Sequence, residues 1–507
     1  MSGEINLTED SVEKAQRKIA EVIKQNFSEE DLEDFQKVIS SLPNIKTQYQ
    51  NNEKESLRWE VIELISGRNK DWGKATELLV EYILRKNHIY TTKDDNKSEV
   101  WIYREGIYTP QGRSEIKLLL REIMKSFYNS YIYNKVMDKI EPDTFIEPDK
   151  FFGVNYVDYV PVENGILNLK SRELIEFDPR KIFFNKLPVE YNPKAKCEKI
   201  EQFLRDVFPK EENINLFYEL GGFCLWKEYK FEKAFMFVGN GRNGKDKTLE
   251  LIKRLLGIEN VCSIPLASIV PDSFIISEFH NKMANLAGEI NNQDLKDTSA
   301  FKALTGRSLL SAQRKFLRPV HFVNYAKFIF ACNELPMVYD NSKGFWDRWI
   351  VLDFPYTFVT KQEMKEAKNK ENLKLRDEDI IEKITTKEEM SGLLNKFLDG
   401  LHTILKNKDF SSSLGSDEVR LKWIQKSNSV MAFALSNIKE NYEKYITKKN
   451  FRVNYAKYCK KNRISPKSDI VIKRTLQDMF GVVEERKERE IGGGYDSVWS
   501  GITWKIE

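Results

Sequence analysis

The sequence predicts an α/β protein: a phosphate-loop core on a parallel sheet, preceded by a mixed α+β region and followed by a helical segment and a winged helix. Three observations carry this. Between residues 226 and 358, short apolar runs alternate with stretches of helical spacing. The first of those runs ends in the glycine-rich segment Gly239-Asn-Gly-Arg-Asn-Gly-Lys245. Beyond residue 441 the chain reads helix, turn at Ser465-Pro466, helix, and a hairpin bearing Gly492.

Each element follows from local pattern. Residues 1–75 read as amphipathic helices, at Val12–Ile23 and Leu32–Ile39, with Ser28 and Asp31 spaced for a cap; an accessory or assembly role is expected. Residues 76–225 mix helices with short strands. Val100–Tyr108 suits a hairpin turning at Glu105-Gly106, and Asn164-Gly165 is a second turn signal. Core strands are expected at Ala234–Gly239, Met283–Ile290, Lys327–Cys332 and Trp349–Phe354, each nearly all apolar, as strands buried on both faces are. Residues 359–440 are charged and helical, and residues 441–507 hold the winged helix.

Composition excludes several classes. With 507 residues the chain is long enough for two to four domains, and 41% hydrophobic content with 12% aromatic argues against disorder. No apolar run approaches the roughly 18–20 residues a bilayer crossing needs, and the N-terminus lacks a secretory pattern, so no membrane partner is expected. The five cysteines (Cys197, Cys224, Cys262, Cys332, Cys459) have no paired spacing, which argues against a zinc ribbon or a disulfide framework and fits a reducing compartment. Net charge is only +4, but Lys448–Arg474 holds ten basic residues against one acid, Asp469. That run suits a phosphate backbone; a solvated face is the plainer alternative.

The segment Gly239, Asn240, Gly241, Arg242, Asn243, Gly244, Lys245 fits the G-x-x-x-x-G-K phosphate loop, between a strand and a helix as the motif requires. Its amides can turn inward around a triphosphate, with Lys245 on the β- and γ-phosphates. ATP with Mg²⁺ is the expected ligand. The residue after the lysine is usually Ser or Thr, whose hydroxyl meets the Mg²⁺; here Asp246 stands there, followed by Lys247. Glu289, at the end of the next strand, is placed to polarise water, and the position before it, commonly Asp, is Gly288. Asp246 is therefore a candidate to supply the missing carboxylate to the metal, with Glu289 beside it. Asn333 ends the following strand and can hold the attacking water. Arg348 precedes the last strand and can reach a neighbour's γ-phosphate, or else pair with Asp347. Between the acidic and the Asn strands, Arg307–Phe322 reads as two strands joined by a basic tip, with Arg314, Lys315 and Phe316 as DNA-contact candidates. Lys473 and Arg474 lie on a candidate groove-reading helix, whose alternative is a partner-docking module.

In this order, these residues resemble a superfamily 3 helicase of the AAA+ type. More narrowly, they resemble the C-terminal helicase part of phage, plasmid and poxvirus-type primase-helicases. The resemblance runs from about residue 76 to the end, through Tyr103–Tyr108, Asn164–Leu169, Leu187–Pro193, Gly239–Lys245, Phe301–Gly306, Phe330–Pro336 and Phe345–Arg348. It implies a hexameric ring moving 3′-to-5′ on single-stranded DNA at a fork. ATP would lie between subunits, with Lys245 and Glu289 acting in cis, Asn333 as sensor, Arg348 in trans and Arg314–Lys315 on DNA. It places the chain in the cytoplasm, at a viral or plasmid replication site. Residues 1–75 are short for a primase, so a separate primase or polymerase is a candidate partner. Two readings compete: an initiator that uses ATP only to assemble on DNA, and a packaging or remodelling ATPase.

Overall fold

Short runs that are apolar at nearly every position satisfy their backbones and cover both faces inside a sheet. In the computed structural model, which describes residues 53–505 apart from 67–68, 95–97, 154–155, 289–294, 296, 316, 339, 341, 413, 463–464 and 490–492, they do so in one five-stranded sheet. The strands are β1 (Ala234–Val238), β2 (Val261–Cys262), β3 (Ala284–Ala287), β4 (Lys327–Cys332) and β5 (Trp349–Asp353). Their order is β5-β1-β4-β3-β2, and every neighbouring pair is parallel. β1, β3 and β4 are buried throughout. Four of the five were expected. β2, at two residues, is too short to leave a signal. Asn285, a buried amide inside β3, anchors the chain just beyond β2: its side chain accepts from Ile264 N at 2.7 Å and donates to Ile264 O at 3.0 Å.

One contiguous core runs from Val160 to Trp423 beneath and above this sheet. Phe301 stacks on Trp349 with ring centroids 4.9 Å apart, and Trp423 packs on the same indole at 5.0 Å. The Trp423 Nε1 donates to Pro336 O at 2.8 Å, which fixes the segment leaving β4. Asn164, at its turn, bonds Tyr191 through both amide atoms, at 3.0 and 2.9 Å, and so holds the Leu187–Pro193 segment in place. The strands Tyr159–Val162 and Gly165–Asn168 flank that turn in antiparallel pairing. The other expected hairpin also forms, with positive φ at Glu105 and Gly106.

Two further parts have separate character. Residues 53–90 and 111–145 form their own compact unit, with helices Glu53–Ser66, Trp72–Lys86, Gly112–Met124 and Ser130–Asp143. The helices and cap expected within residues 12–39 lie outside the described residues. At the other end, a small core joins helices Ser429–Asn437, Lys448–Lys461 and Asp469–Phe480 to a three-stranded antiparallel sheet. Tyr495–Trp504 is its central strand, between Ile438–Thr447 and Val483–Glu488. Ile438–Thr447 leaves little sequence signal, because only Ile438 and Ile446 along it are buried. In the 359–440 segment, the strand Leu373–Leu375 stands where only helix was expected. Its Leu-Lys-Leu alternation pairs in parallel with Thr357–Val359.

The helix Glu211–Leu225, which leads toward β1, crosses Lys387–Asn407 at glycines. A Cβ on Gly222 would lie 2.3 Å from Phe397 O, and one on Gly400 would lie 2.2 Å from Tyr218 O. Both obstacles are backbone, which cannot rotate aside. Gly400→Ala is expected to lower unfolding free energy by about 1–3 kcal/mol, measured by urea denaturation; an unchanged midpoint would show that the two helices are not held this closely.

Candidate functional site

The phosphate loop begins where β1 ends. Gly241, Arg242 and Gly244 have φ of 72°, 47° and 89°, the left-handed turns that aim successive amides at one point. Gly239 is held by crowding: a Cβ there would fall 2.1 Å from Asn243 Nδ2 and 2.5 Å from Phe354 O. Asn243 is buried and braces the loop, donating to Phe354 O at 3.4 Å and accepting from Lys245 N at 3.4 Å. Arg242 is pinned from outside by Glu363 at 2.7 Å, and its carbonyl accepts from Phe358 N at 2.7 Å. The Arg242 guanidinium and the Thr360 amide hold the Glu363 carboxyl down at about 2. Asn240 is exposed at the loop's crest.

Lys245 opens the helix α1 (Lys245–Leu256) and is buried. Its ammonium contacts Gly239 O and donates to Asn333 Oδ1 at 3.0 Å. The pairing explains this meeting. Val238 stands opposite Cys332 in neighbouring parallel strands, so the residues just beyond each strand share one edge. Cys332 lies beneath, its thiol pushed up to about 12 by burial, which makes it inert. The Thr248 hydroxyl is spent on Gly244 O at 2.9 Å. Asp246 and Lys247 are exposed on the first turn of α1, and Asp246 makes no hydrogen bond or ion pair among the described residues. Gly288 follows β3 directly beside it; Glu289 lies outside the described residues. Among the described residues, no group of three or more His, Cys, Asp or Glu gathers. A cation here would take ligands mainly from phosphate and water, as Mg²⁺ does.

Arg348 sits at the opposite edge. It precedes Trp349, which pairs with Ala234 at the start of β1, roughly 16 Å of strand from the loop. Its guanidinium is engaged three ways: with Glu232 at 2.8 Å, Thr305 Oγ1 at 2.8 Å and Gly344 O. The neighbour considered from sequence, Asp347, is not its partner; Glu232 is. Nothing in the local sequence points to Glu232, which the sheet brings from the far side of β1.

The expected basic hairpin forms between Leu309–Ala312 and Val320–Val323, antiparallel. Lys315 is exposed at its turn, and Phe316 lies outside the described residues. Arg314 points elsewhere. It makes two bonds to the Glu99 carboxylate, at 3.1 and 2.8 Å, and is largely buried. Arg318 likewise pairs with Asp94. These two acids come from a segment more than 200 residues upstream, which no local pattern reveals. Behind the hairpin lies a cavity of about 930 Å³, lined by Glu99, Phe152, Lys227, His280, Arg314 and Phe322 among others. Burial, and then the Arg314 charge, depress His280 to about 4, so it stays neutral.

The basic run near the C-terminus is partly spent within the chain. Lys473 pairs with Glu484 at 2.9 Å, and Lys448 binds the same carboxylate. Arg452 pairs with Asp469, and Arg474 lies 3.9 Å from Asp478. Lys449, Lys457, Lys460 and Lys461 are exposed on Lys448–Lys461 with no ion pair among the described residues.

Residues 6–209 match the family described as D5 N terminal like, and residues 237–348 match a family of unknown function, DUF5906. A helicase-named protein of Acanthamoeba polyphaga mimivirus is 24% identical over 363 residues, covering 65% of this chain and 38% of that protein. A helicase-named protein of Sputnik virophage is 25% identical over 313 residues, covering 56% and 37%. The chain resembles the primase-helicases of superfamily 3. It spans under two-fifths of the length of the curated relatives it matches. Among solved structures, the C-terminal region of NrS-1 aligns over 83% of this chain and 98% of that one, at 14% identity and a TM-score of 0.39. JCV helicase aligns over 48% and 65%, at 16% identity and 0.21. Among the described residues, no helix is long and apolar enough to cross a membrane.

The hairpin geometry separates two neighbours in sequence. Arg314→Gln leaves the largely buried Glu99 without its cation and is expected to cost about 1–3 kcal/mol of stability in urea unfolding. Lys315→Ala, on the exposed turn, should stay within about 0.5 kcal/mol of the parent. Equal losses would show that Arg314 is not built into the fold.

Proposed function

We propose that this chain is the ATP-driven motor of a viral or plasmid DNA helicase, built on an AAA+ core and working as a hexameric ring on single-stranded DNA. The observation that carries the proposal is the Lys245–Asn333 contact of 3.0 Å, made where two adjacent parallel strands end. A phosphate-binding lysine and a polar amide meeting there suit a triphosphate whose terminal bond is to be broken.

The chemistry divides among the residues as follows. The loop amides and Lys245 would hold the β- and γ-phosphates, displacing Gly239 O from the ammonium. Asn333 would orient a water, with Glu289 polarising it. Mg²⁺ would neutralise phosphate charge when the nucleotide binds. Arg348, an edge away from its own loop, can serve only a neighbour's nucleotide, and would exchange Glu232 for that phosphate. Such a finger is worth about 10³–10⁵ in rate where it has been measured, and it makes the ring part of the mechanism. The Lys315 turn would draw one strand 3′-to-5′ as interfaces close and open. The C-terminal module, with the element order of a winged helix, would add duplex or partner contacts through Lys449, Lys457, Lys460 and Lys461. A separate primase would start chains for the polymerase.

A second reading has one specific support: Asp246 places negative charge beside the triphosphate, which suits an initiator that binds ATP and turns it over slowly. Strand displacement decides between them. The purified protein with ATP and Mg²⁺ should unwind a 3′-tailed duplex, and Lys245→Ala should reduce the rate by about 10²–10³-fold or more. DNA binding and ring formation without unwinding would favour the initiator.

A further inference from the structure

We infer that Asp246 and Gly288 are two halves of one exchange: the metal-assisting carboxylate has moved from the end of β3 to the first turn of α1, where it lies beside the position it left. The inference rests on the nucleotide-site reading above.

Space comes first. A Cβ at Gly288 would lie 4.0 Å from Asp246 Oδ1 and 3.9 Å from Leu249 Cδ1. That is ordinary contact for a methyl group. A carboxyl group on residue 288 would stand next to the place where the Asp246 carboxylate already lies. Two carboxylates sharing a site repel, and one is driven to keep its proton. The two positions adjoin, so an acid at either one can serve the same cation.

Availability comes second. Within the loop and the first turn of α1, the buried polar side chains are committed. Asn243 braces Phe354 O, Lys245 holds Asn333, and Thr248 bonds Gly244 O. Asp246 is exposed and makes no hydrogen bond or ion pair among the described residues, so the fold does not use it. The N-terminal end of α1 favours negative charge at that turn. Mg²⁺ is commonly held by one or two carboxylates together with phosphate oxygens and waters, and one well-placed aspartate suffices. The hydroxyl usual after the loop lysine and the acid usual before Glu289 are thus replaced together, by a single side chain.

The test uses the whole chain and a fluorescent ATP analogue, titrated with and without Mg²⁺, together with Mn²⁺ paramagnetic resonance on the nucleotide complex. Asp246→Asn should raise the Mg²⁺ half-saturation by about 10-fold or more while metal-free nucleotide binding holds or tightens. Gly288→Asp alone should weaken metal-free nucleotide binding. The pair Asp246→Thr with Gly288→Asp should recover most of the Mg²⁺ dependence and restore the Mn²⁺ signal. If the analogue binds but Asp246→Asn leaves the Mg²⁺ requirement unchanged, or the double variant is no better than Asp246→Thr alone, the exchange is overturned and the nucleotide site stands. If the parent protein fails to bind the analogue, both fall.

Discussion

Everything in this molecule's candidate chemistry depends on β1 and β4 lying side by side in parallel. Parallel pairing sends both strands out of the sheet at the same edge. Because Val238 faces Cys332, the loop after one and the Asn333 turn after the other are forced together. The apolar β1 and β4 make that edge rigid, since every side chain in them is buried. The aromatic stack of Phe301, Trp349 and Trp423 secures the neighbouring strand and, through Pro336, the turn itself. Rigidity matters because a hydrogen-bonding group that must be organised during a reaction contributes far less than one already in place.

On the proposed reading, the same pairing also separates the two halves of a site shared between subunits. A parallel sheet has two unlike edges, and this chain keeps its phosphate loop on one and Arg348 on the other. No hinge within a five-residue strand joins them. A single chain therefore cannot bring Arg348 to its own loop, which is why the proposed finger serves a neighbour. Within the chain, the Arg348–Glu232 pair at 2.8 Å compensates the guanidinium.

How much of this could be read from the sequence varied with the range of the interaction. The loop, the hairpin at Arg307–Phe322 and four core strands were legible because each is a local pattern: glycines at fixed spacing, or an apolar run between breaks. β2 and the strand Ile438–Thr447 were not, because one is two residues long and the other buries little of its length. At the site, the residue types were legible and their partners were not. Arg314 and Lys315 are adjacent cations, yet Glu99, far upstream, draws Arg314 into a largely buried pair that its neighbour does not share. Lys473 reads as a groove contact until Glu484 is seen beside it. Charge pairs made through tertiary structure leave no local trace, so a basic run overstates the charge offered to a phosphate backbone. Asp246 is the reverse case: a departure visible in sequence, whose nearness to Gly288 only the fold reveals.

The most direct measurement is amide hydrogen exchange on the intact protein with and without Mg²⁺-ATP analogue. The account requires backbone N–H groups of Gly239–Lys245 to turn onto a phosphate, so protection should rise there and at the Cys332–Asn333 turn, and should vanish in Lys245→Ala. Nucleotide that leaves exchange in both segments unchanged would contradict it.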